Sequence, residues 1–323
     1  MHAMIEELAS PLLMSILLGS LYCMMALGLT MTKAITKISN FAHAEMVTVG
    51  AYAAVVVANT FRTGPIEALA AAFLSTAVLA VVIDEVVFKP LFNRGATSLH
   101  LMVGSIGVGL AVRYILSIFA DMHNMLIAQT RIMVQLVAVI GYGTLTTLHL
   151  WVLPTSAITV VILHFMLTKT KLGKAMRATA SNFELAKVSG IKTDRVRRIT
   201  WVIAGGLAGV SGAFWSIYSP INPETGWLAL LWIFASSILG GFVSFYGTIA
   251  GAYVVGFAEN VGITIMSRWF GIDVAYKPLI ALAIIVVVFL LRPTGLTGIT
   301  LPSIRTVTSR LVREIRAGLK QQR

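Results

Sequence analysis

Runs of about twenty mostly apolar residues recur along this chain, and that is the length an α-helix needs to cross a hydrocarbon layer about 30 Å thick. Nine can be marked, at 10–31, 41–59, 66–88, 99–120, 148–167, 199–218, 227–243, 248–267 and 276–291. With 57% of the 323 residues hydrophobic and only 12% charged, the pattern leaves no room for a separate soluble domain. It predicts an all-α polytopic transmembrane helix bundle of about eight or nine spans. One membrane domain fills residues 1–300, and a basic tail fills 301–323.

Local signals sharpen the ends. Ser10 reads as an N-cap with Pro11 at the first helical position. Pro90 ends the third run, and Pro154 predicts a kink one turn into the fifth. The connection 121–147 holds an apolar piece, 133–140, too short to cross. Glu6 and Glu7 precede the first run, and no Lys or Arg comes before Lys33. That is not the basic start of a cleaved leader, so the first run is expected to stay as a helix.

The net charge of +12 does not point to nucleic acid, because 15 of the 25 basic residues lie in the stretch 168–198 and in the tail. Basic loops mark the cytoplasmic side of a membrane protein. An outside N-terminus and nine crossings put the loops at 33–37, 89–97 and 168–198 and the C-terminus inside. A re-entrant segment after Asn40 would lower the count.

The loop 168–198 contains a complete short-helix signature. Ser181-Asn-Phe-Glu184 has the form of a capping box, and Gly190 supplies the left-handed residue that ends a helix. The eight residues Asn182 to Ser189 between them would make about 12 Å of helix. A short capped helix on a basic loop is suited to dock on another protein.

Few ionisable groups fall within the runs: His43, Glu45, Arg113, His164 and Glu259. Charge at membrane depth is costly and faces a bundle interior or a cavity. Arg113 is expected to pair with Glu45 or Glu259. The polar string Asn40, Phe41, His43, Glu45 interrupts an apolar region, and such entries line transport paths. Gly205-Gly-Leu-Ala-Gly209 and Gly247-Thr-Ile-Ala-Gly251 are small-xxx-small motifs that favour close packing of helices within the chain.

No phosphate-binding loop is present; Leu172-Gly-Lys-Ala175 lacks both the first glycine and the Ser/Thr. No metal-ligand spacing, catalytic nucleophile constellation or arginine-rich voltage sensor is readable either. Catalytic residues, a metal site and a cofactor are therefore not expected on this chain. Its single cysteine, Cys23, lies inside an apolar run and has no internal partner.

Taken in order, Asn40-Phe-Ala-His-Ala-Glu45, Gly50-Ala-Tyr52, Thr170-Lys-Leu-Gly-Lys-Ala-Met-Arg-Ala178, Glu184-Leu-Ala-Lys-Val-Ser-Gly-Ile191, Leu239-Gly-Gly241 and Arg292-Pro-Thr-Gly-Leu296 resemble the LivH-type permease subunits of branched-chain amino acid ABC importers. Ala44 departs from the family's glycine at that position. The resemblance implies that Glu184-Leu-Ala186 through Gly190 form the coupling helix that seats in a groove of an ATPase subunit. The residues concerned are Ser181, Asn182, Phe183, Glu184, Leu185, Ala186, Lys187 and Gly190, with Phe183 the expected anchor. It also implies a second related permease, two ATPase subunits that carry ATP and magnesium, an external binding protein and an inner-membrane location. The cargo implied is leucine, isoleucine or valine. Urea, short amides or another amino acid would suit the same machine, and an ATP-independent secondary transporter or channel is the rival from another class.

Overall fold

A computed structural model describes residues 2–291 and 295, with side chains from Leu8 onward. The tail 301–323 lies outside the described residues, as does the Arg292–Leu296 string except for Gly295. Helix α1 (His2–Thr36) runs straight through Ser10 and Pro11, so the expected cap is not an end. The Ser15 hydroxyl, one turn further on, donates to the Pro11 carbonyl at 2.7 Å.

Helix α2 (His43–Thr60) follows, then α3 (Pro65–Ile83). A π-helical turn at Asp84–Phe88 carries α3 into α4 (Lys89–Asn93), past Pro90. Pro90 does not end the helix: it falls in the first turn of the segment that the π-helical turn leads into, and the backbone is helical on both sides of the junction. Helix α5 (Ser98–Met122) leads to a two-stranded antiparallel hairpin, β1 (Leu136–Ile140) and β2 (Gly143–Thr146). The apolar piece of this connection is thus a strand, which corrects the all-helical expectation locally. The sequence Gly141-Tyr-Gly143 explains it: Gly141 takes the positive φ of 59° that the tight turn needs.

Helix α6 (Thr147–Lys169) continues through Pro154. Two short helices fill the basic stretch, α7 (Lys171–Ser181) and α8 (Phe183–Val188). Helix α9 (Thr193–Tyr218) starts inside that stretch. It is followed by α10 (Thr225–Leu239), α11 (Phe245–Phe257), a π-helical turn (Ala258–Gly262), α12 (Ile263–Phe270), a 3-10 turn (Val274–Tyr276) and α13 (Lys277–Leu291). Seven of these helical stretches are long and apolar enough to cross a bilayer. The 18-residue α2 and the 15-residue α10 are shorter or more polar.

Helices α1 and α9 form the buried centre; their apolar windows are 78% and 72% buried, against 17% for α5 and α6. Polar side chains on α1 are tied off locally or across the bundle. Thr30 shares hydrogen bonds with Ser237 (2.7 Å) and Thr248 (2.8 Å), and Ser211 donates to the Leu21 carbonyl.

The glycine motifs are internal seams, as their spacing suggests. A Cβ at Gly205 or Gly209 would run into Thr76, Ala72 or Ala80 of α3, and one at Gly251 into the Ser236 carbonyl of α10. Gly50 and Gly209 bring α2 and α9 together with no room for a side chain on either.

Candidate functional site

Between α1 and α2 the chain turns back on itself. Lys37 takes a positive φ of 59°, and residues 37–42 run without helical structure into the bundle. The Phe41 amide donates to the Ser105 hydroxyl at 3.0 Å, two turns inside α5 from its start at Ser98. The Phe41 ring stacks on Phe234 at 4.8 Å. The His43 ring lies against Gly28 and its Nε2 is 2.9 Å from the Met25 carbonyl. Gly28 and Met25 are two to three turns in from the end of α1. Helix α2 therefore begins within the bundle: the segment after Asn40 enters partway rather than at a surface.

This placement leaves polar groups without a protein partner among the described residues. Asn40 is fully buried, and neither its Oδ1 nor its Nδ2 has a partner. A carbonyl can only accept, so His43 carries its proton on Nε2 and leaves Nδ1 as a free acceptor. Glu45 pairs through Oε1 with Arg113, while Oε2 is unpartnered. Of the two partners open to Arg113, the structure selects Glu45, and the guanidinium also lies over Trp227 at 4.6 Å. The string thus presents four unsatisfied polar atoms within six residues of sequence. Such groups are costly unless water or a polar solute meets them. Ser105 and Trp227 belong to this cluster, and no local sequence signal marks them.

Glu259, the other acidic candidate, is elsewhere. Its carboxylate is held by the Tyr22 hydroxyl (2.7 Å) and by Trp232 Nε1, and Tyr22 and Trp232 stack at 5.4 Å. Lys277 reaches the neighbouring Asn260 at 3.0 Å. Both oxygens are satisfied, which is the arrangement of a structural carboxylate. His164 shares a 2.6 Å hydrogen bond with the Tyr246 hydroxyl between α6 and α11. Among the described residues, no three His, Cys, Asp or Glu side chains group as a metal site.

The short helix α8 forms, one residue later than the capping box predicts. Ser181 is the last residue of α7, and Asn182 is the N-cap, with its Oδ1 accepting from the Leu185 amide at 3.0 Å. The N-cap residue must leave helical geometry; Asn182 does so (φ −150°, ψ 108°) and Ser181 does not. The Glu184 side chain therefore has no capping role with Ser181. At the other end, Gly190 takes a φ of 82°. The Ile191 amide donates to the Ala186 carbonyl and the Gly190 amide to the Lys187 carbonyl, a Schellman stop.

Phe183 is half-buried, its ring edge-on to Phe92 of α4 at 5.4 Å. It anchors α8 to its own chain. The apolar side chains that α8 offers outward are Leu185 and Val188, 62% and 86% exposed. Glu184 and Lys187 are exposed beside them, and Ala186 is buried.

Just beyond α8, two adjacent acids face two adjacent arginines. Arg197 Nε donates to both Asp84 oxygens (3.1 and 2.8 Å) in a site nearly free of water. Arg198 donates to Glu85, which also takes Lys89 at 2.7 Å, at the surface. The π-helical turn widens the helix where Asp84 and Glu85 sit. Phe88 stacks on Trp201 at 5.3 Å below the buried pair.

These features define a polytopic helical membrane protein, with a polar entry buried in its bundle and a short capped helix on its most basic face. A family model described as "Branched-chain amino acid transport system / permease component" matches residues 12–289, and the chain belongs to that family. It is 28% identical over 300 residues to the "Probable branched-chain amino acid transport permease protein LivH" of Methanocaldococcus jannaschii, covering 91% of this chain and 94% of that protein. It is 27% identical over 295 residues to the "High-affinity branched-chain amino acid transport system permease protein LivH" of Escherichia coli (strain K12), covering 87% and 92%. A solved chain of "PsaBC from Streptococcus pneumoniae in complex with Fab" aligns over 91% of this chain and 93% of its own length at 14% identity and a TM-score of 0.43, a level at which no common fold follows.

Proposed function

We propose that this chain is the permease subunit of an ABC importer that moves leucine, isoleucine or valine across the inner membrane. The observation that carries this reading is α8: six residues, capped at both ends, with Leu185 and Val188 exposed between charged neighbours. An apolar pair of that kind, on the most basic face of a membrane protein, suits a groove on a soluble partner. Residues 1–300 act as one membrane domain, with 168–198 on the cytoplasmic side, the N-terminus outside and the tail 301–323 inside. The partners are a second related permease, two ATPase subunits and an external binding protein. ATP and magnesium sit on the ATPase subunits, and this chain holds no cofactor of its own.

The polar string supplies the other half of the reading. Asn40, His43 and Glu45 offer unpartnered donors and acceptors at the start of α2, beside the apolar rings of Phe41 and Phe234. Sparse polar groups within an apolar surround suit a zwitterion with an aliphatic side chain. ATP-driven closure of the ATPase pair moves α8, and the bundle switches the side on which this string is open.

The test is leucine uptake and ATP hydrolysis by the full complex in proteoliposomes, comparing wild type with Leu185→Asp plus Val188→Asp. Uptake should be abolished while the permease remains inserted and folded. Uptake at the wild-type rate would overturn the docking role of α8. Urea or amide uptake in place of leucine by the wild type would overturn the cargo.

A further inference from the structure

The end of the bundle that carries α7 holds a cavity of about 300 Å³. Its walls are the last two turns of α1 (Met31, Ala34, Ile35), the end of α6 (Leu167), the buried side of α7 (Met176) and the start of α11. Almost all of the lining is apolar. The polar exceptions include Arg177 and the His164–Tyr246 pair, which bridges α6 and α11.

Helix α7 is built to lie along a boundary. Gly173, Met176 and Thr179 are buried, while Lys171, Lys174 and Arg177 are exposed at the same three-residue spacing. No acid occurs from residue 168 to residue 183. Lys169 precedes the stripe, and Lys37 arrives from α1, its Nζ donating to the Ala180 carbonyl at 2.6 Å. The corner between α6 and α7 is tight: a Cβ on Gly173 would meet the Met166 and Leu167 carbonyls. The basic stripe is thereby held at the level where the crossing helices end.

We infer that this cavity is a binding site for an anionic phospholipid, with an acyl chain among Met31, Ile35, Leu167 and Met176 and the phosphate at Arg177 and Lys174. Arg177 stands in the lining, where one of its guanidinium nitrogens donates to the Leu167 carbonyl and the others remain available, and Lys174 is exposed one turn before it. An apolar pocket with cations at its α7 edge has the two-part chemistry of such a lipid. A zwitterionic lipid would bring a second cation against a stripe with no acid to receive it. A soluble phosphate would leave the apolar walls unfilled. Occupancy would hold α7 against α1 and α6, and α7 leads through Asn182 directly into α8. The inference does not depend on which solute the protein transports.

The experiment is native mass spectrometry of the full-length permease, released from micelles containing equal phosphatidylglycerol and phosphatidylcholine of matched chains. One phosphatidylglycerol should be retained, at least tenfold over phosphatidylcholine. Lys174→Gln with Arg177→Gln should weaken retention about 25-fold, at about fivefold per cation removed. Lys174→Arg with Arg177→Lys should preserve it. Ala34→Phe leaves the cations in place but fills the cavity, and should also release the lipid. Circular dichroism and the melting point of each variant without added lipid report that it is folded. Equal retention of both lipids, or undiminished retention in the double Gln variant or in Ala34→Phe, would overturn the proposal. So would displacement of the lipid by glycerol phosphate as effectively as by short-chain phosphatidylglycerol.

Discussion

Removing the Asp84 carboxylate should destabilise the protein far more than removing its neighbour Glu85. The side chains of Arg197 and Asp84 are only 5% and 2% exposed, and the closest approach is 2.8 Å. At an effective dielectric of about 20, charges about 4 Å apart attract by about 4 kcal/mol. Asp84→Leu loses that attraction and strands a guanidinium whose Nη2 is already unpartnered. The expected cost is about 3–5 kcal/mol. Asp84→Leu with Arg197→Met removes both charges and should recover most of it, because a well-packed apolar pair replaces an ion pair at little net cost. Glu85→Gln is the control: its partner Arg198 is 55% exposed, water already solvates the pair, and the midpoint should stay where it is. The assay is SDS-induced unfolding in mixed micelles, followed by tryptophan emission. Trp201, buried and stacked on Phe88 next to the pair, is a built-in reporter. A single Asp84→Leu variant within about 1 kcal/mol of wild type would refute the reasoning, since such a shift is what an exposed pair gives. A double variant no better than the single one would refute it as well.

The same assay tests two further points. Gly212→Ala should cost about 1–3 kcal/mol, because the new methyl meets the Val47 carbonyl and the Ala51 amide of α2 with no space to move. Gly107→Ala, where no described residue lies within 4 Å, should be neutral or stabilising by up to about 1 kcal/mol. Tyr22→Phe should cost about 1.5–3 kcal/mol, because it deprives one oxygen of a buried carboxyl of its donor. Tyr246→Phe, on a more exposed hydrogen bond, should cost less than half of that.

The membrane helices were legible because each is a continuous apolar run, and a run of twenty such residues has few other uses. Gly190 was legible for a similar reason: left-handed geometry at the end of a polar helix belongs to glycine. The cap before it is ambiguous in sequence, because Ser181 and Asn182 both suit an N-cap. The choice fell to the upstream helix, which extends to Ser181 and leaves Asn182 as the first residue free to take extended geometry. The π-helical turns at Asp84–Phe88 and Ala258–Gly262 have no sequence signature, because they are set by what the neighbouring helix presents. The choice of Glu45 over Glu259 for Arg113 was hidden for the same reason. Tyr22 and Trp232 had already filled the acceptors of Glu259. In sequence, Phe183 reads as an aromatic on a polar loop, free to face a partner. Phe92, two residues past the Pro90 at which the sequence predicts a helix end, receives its ring instead.

The contacts around α8 constrain how its motion can reach the polar string. Phe183 is seated on Phe92, and Arg197 binds Asp84 eight residues before Phe92 on the same helical path. Further in, Gly205 and Gly209 sit on Thr76 and Ala80 with no slack. A push on α8 cannot be absorbed by sliding α9 along α3, because close-packed seams of this kind have no intermediate positions. Helices α3 and α9 must move as one body. That body touches α2 where Gly50 meets Gly209 and where Gly212 meets Val47, the second of these within a turn of Glu45. The opposite side of α2 is held differently. Residues 37–42 carry no helical ladder and lean on bonds to neighbours, such as the Phe41 amide on Ser105 and the Lys33 ammonium on Ser39. Bonds of that kind exchange one at a time, whereas a glycine seam yields all at once. On the function proposed above, a displacement entering through α8 would be delivered by α9 and taken up at the start of α2, where Asn40 and His43 have polar atoms without a partner among the described residues.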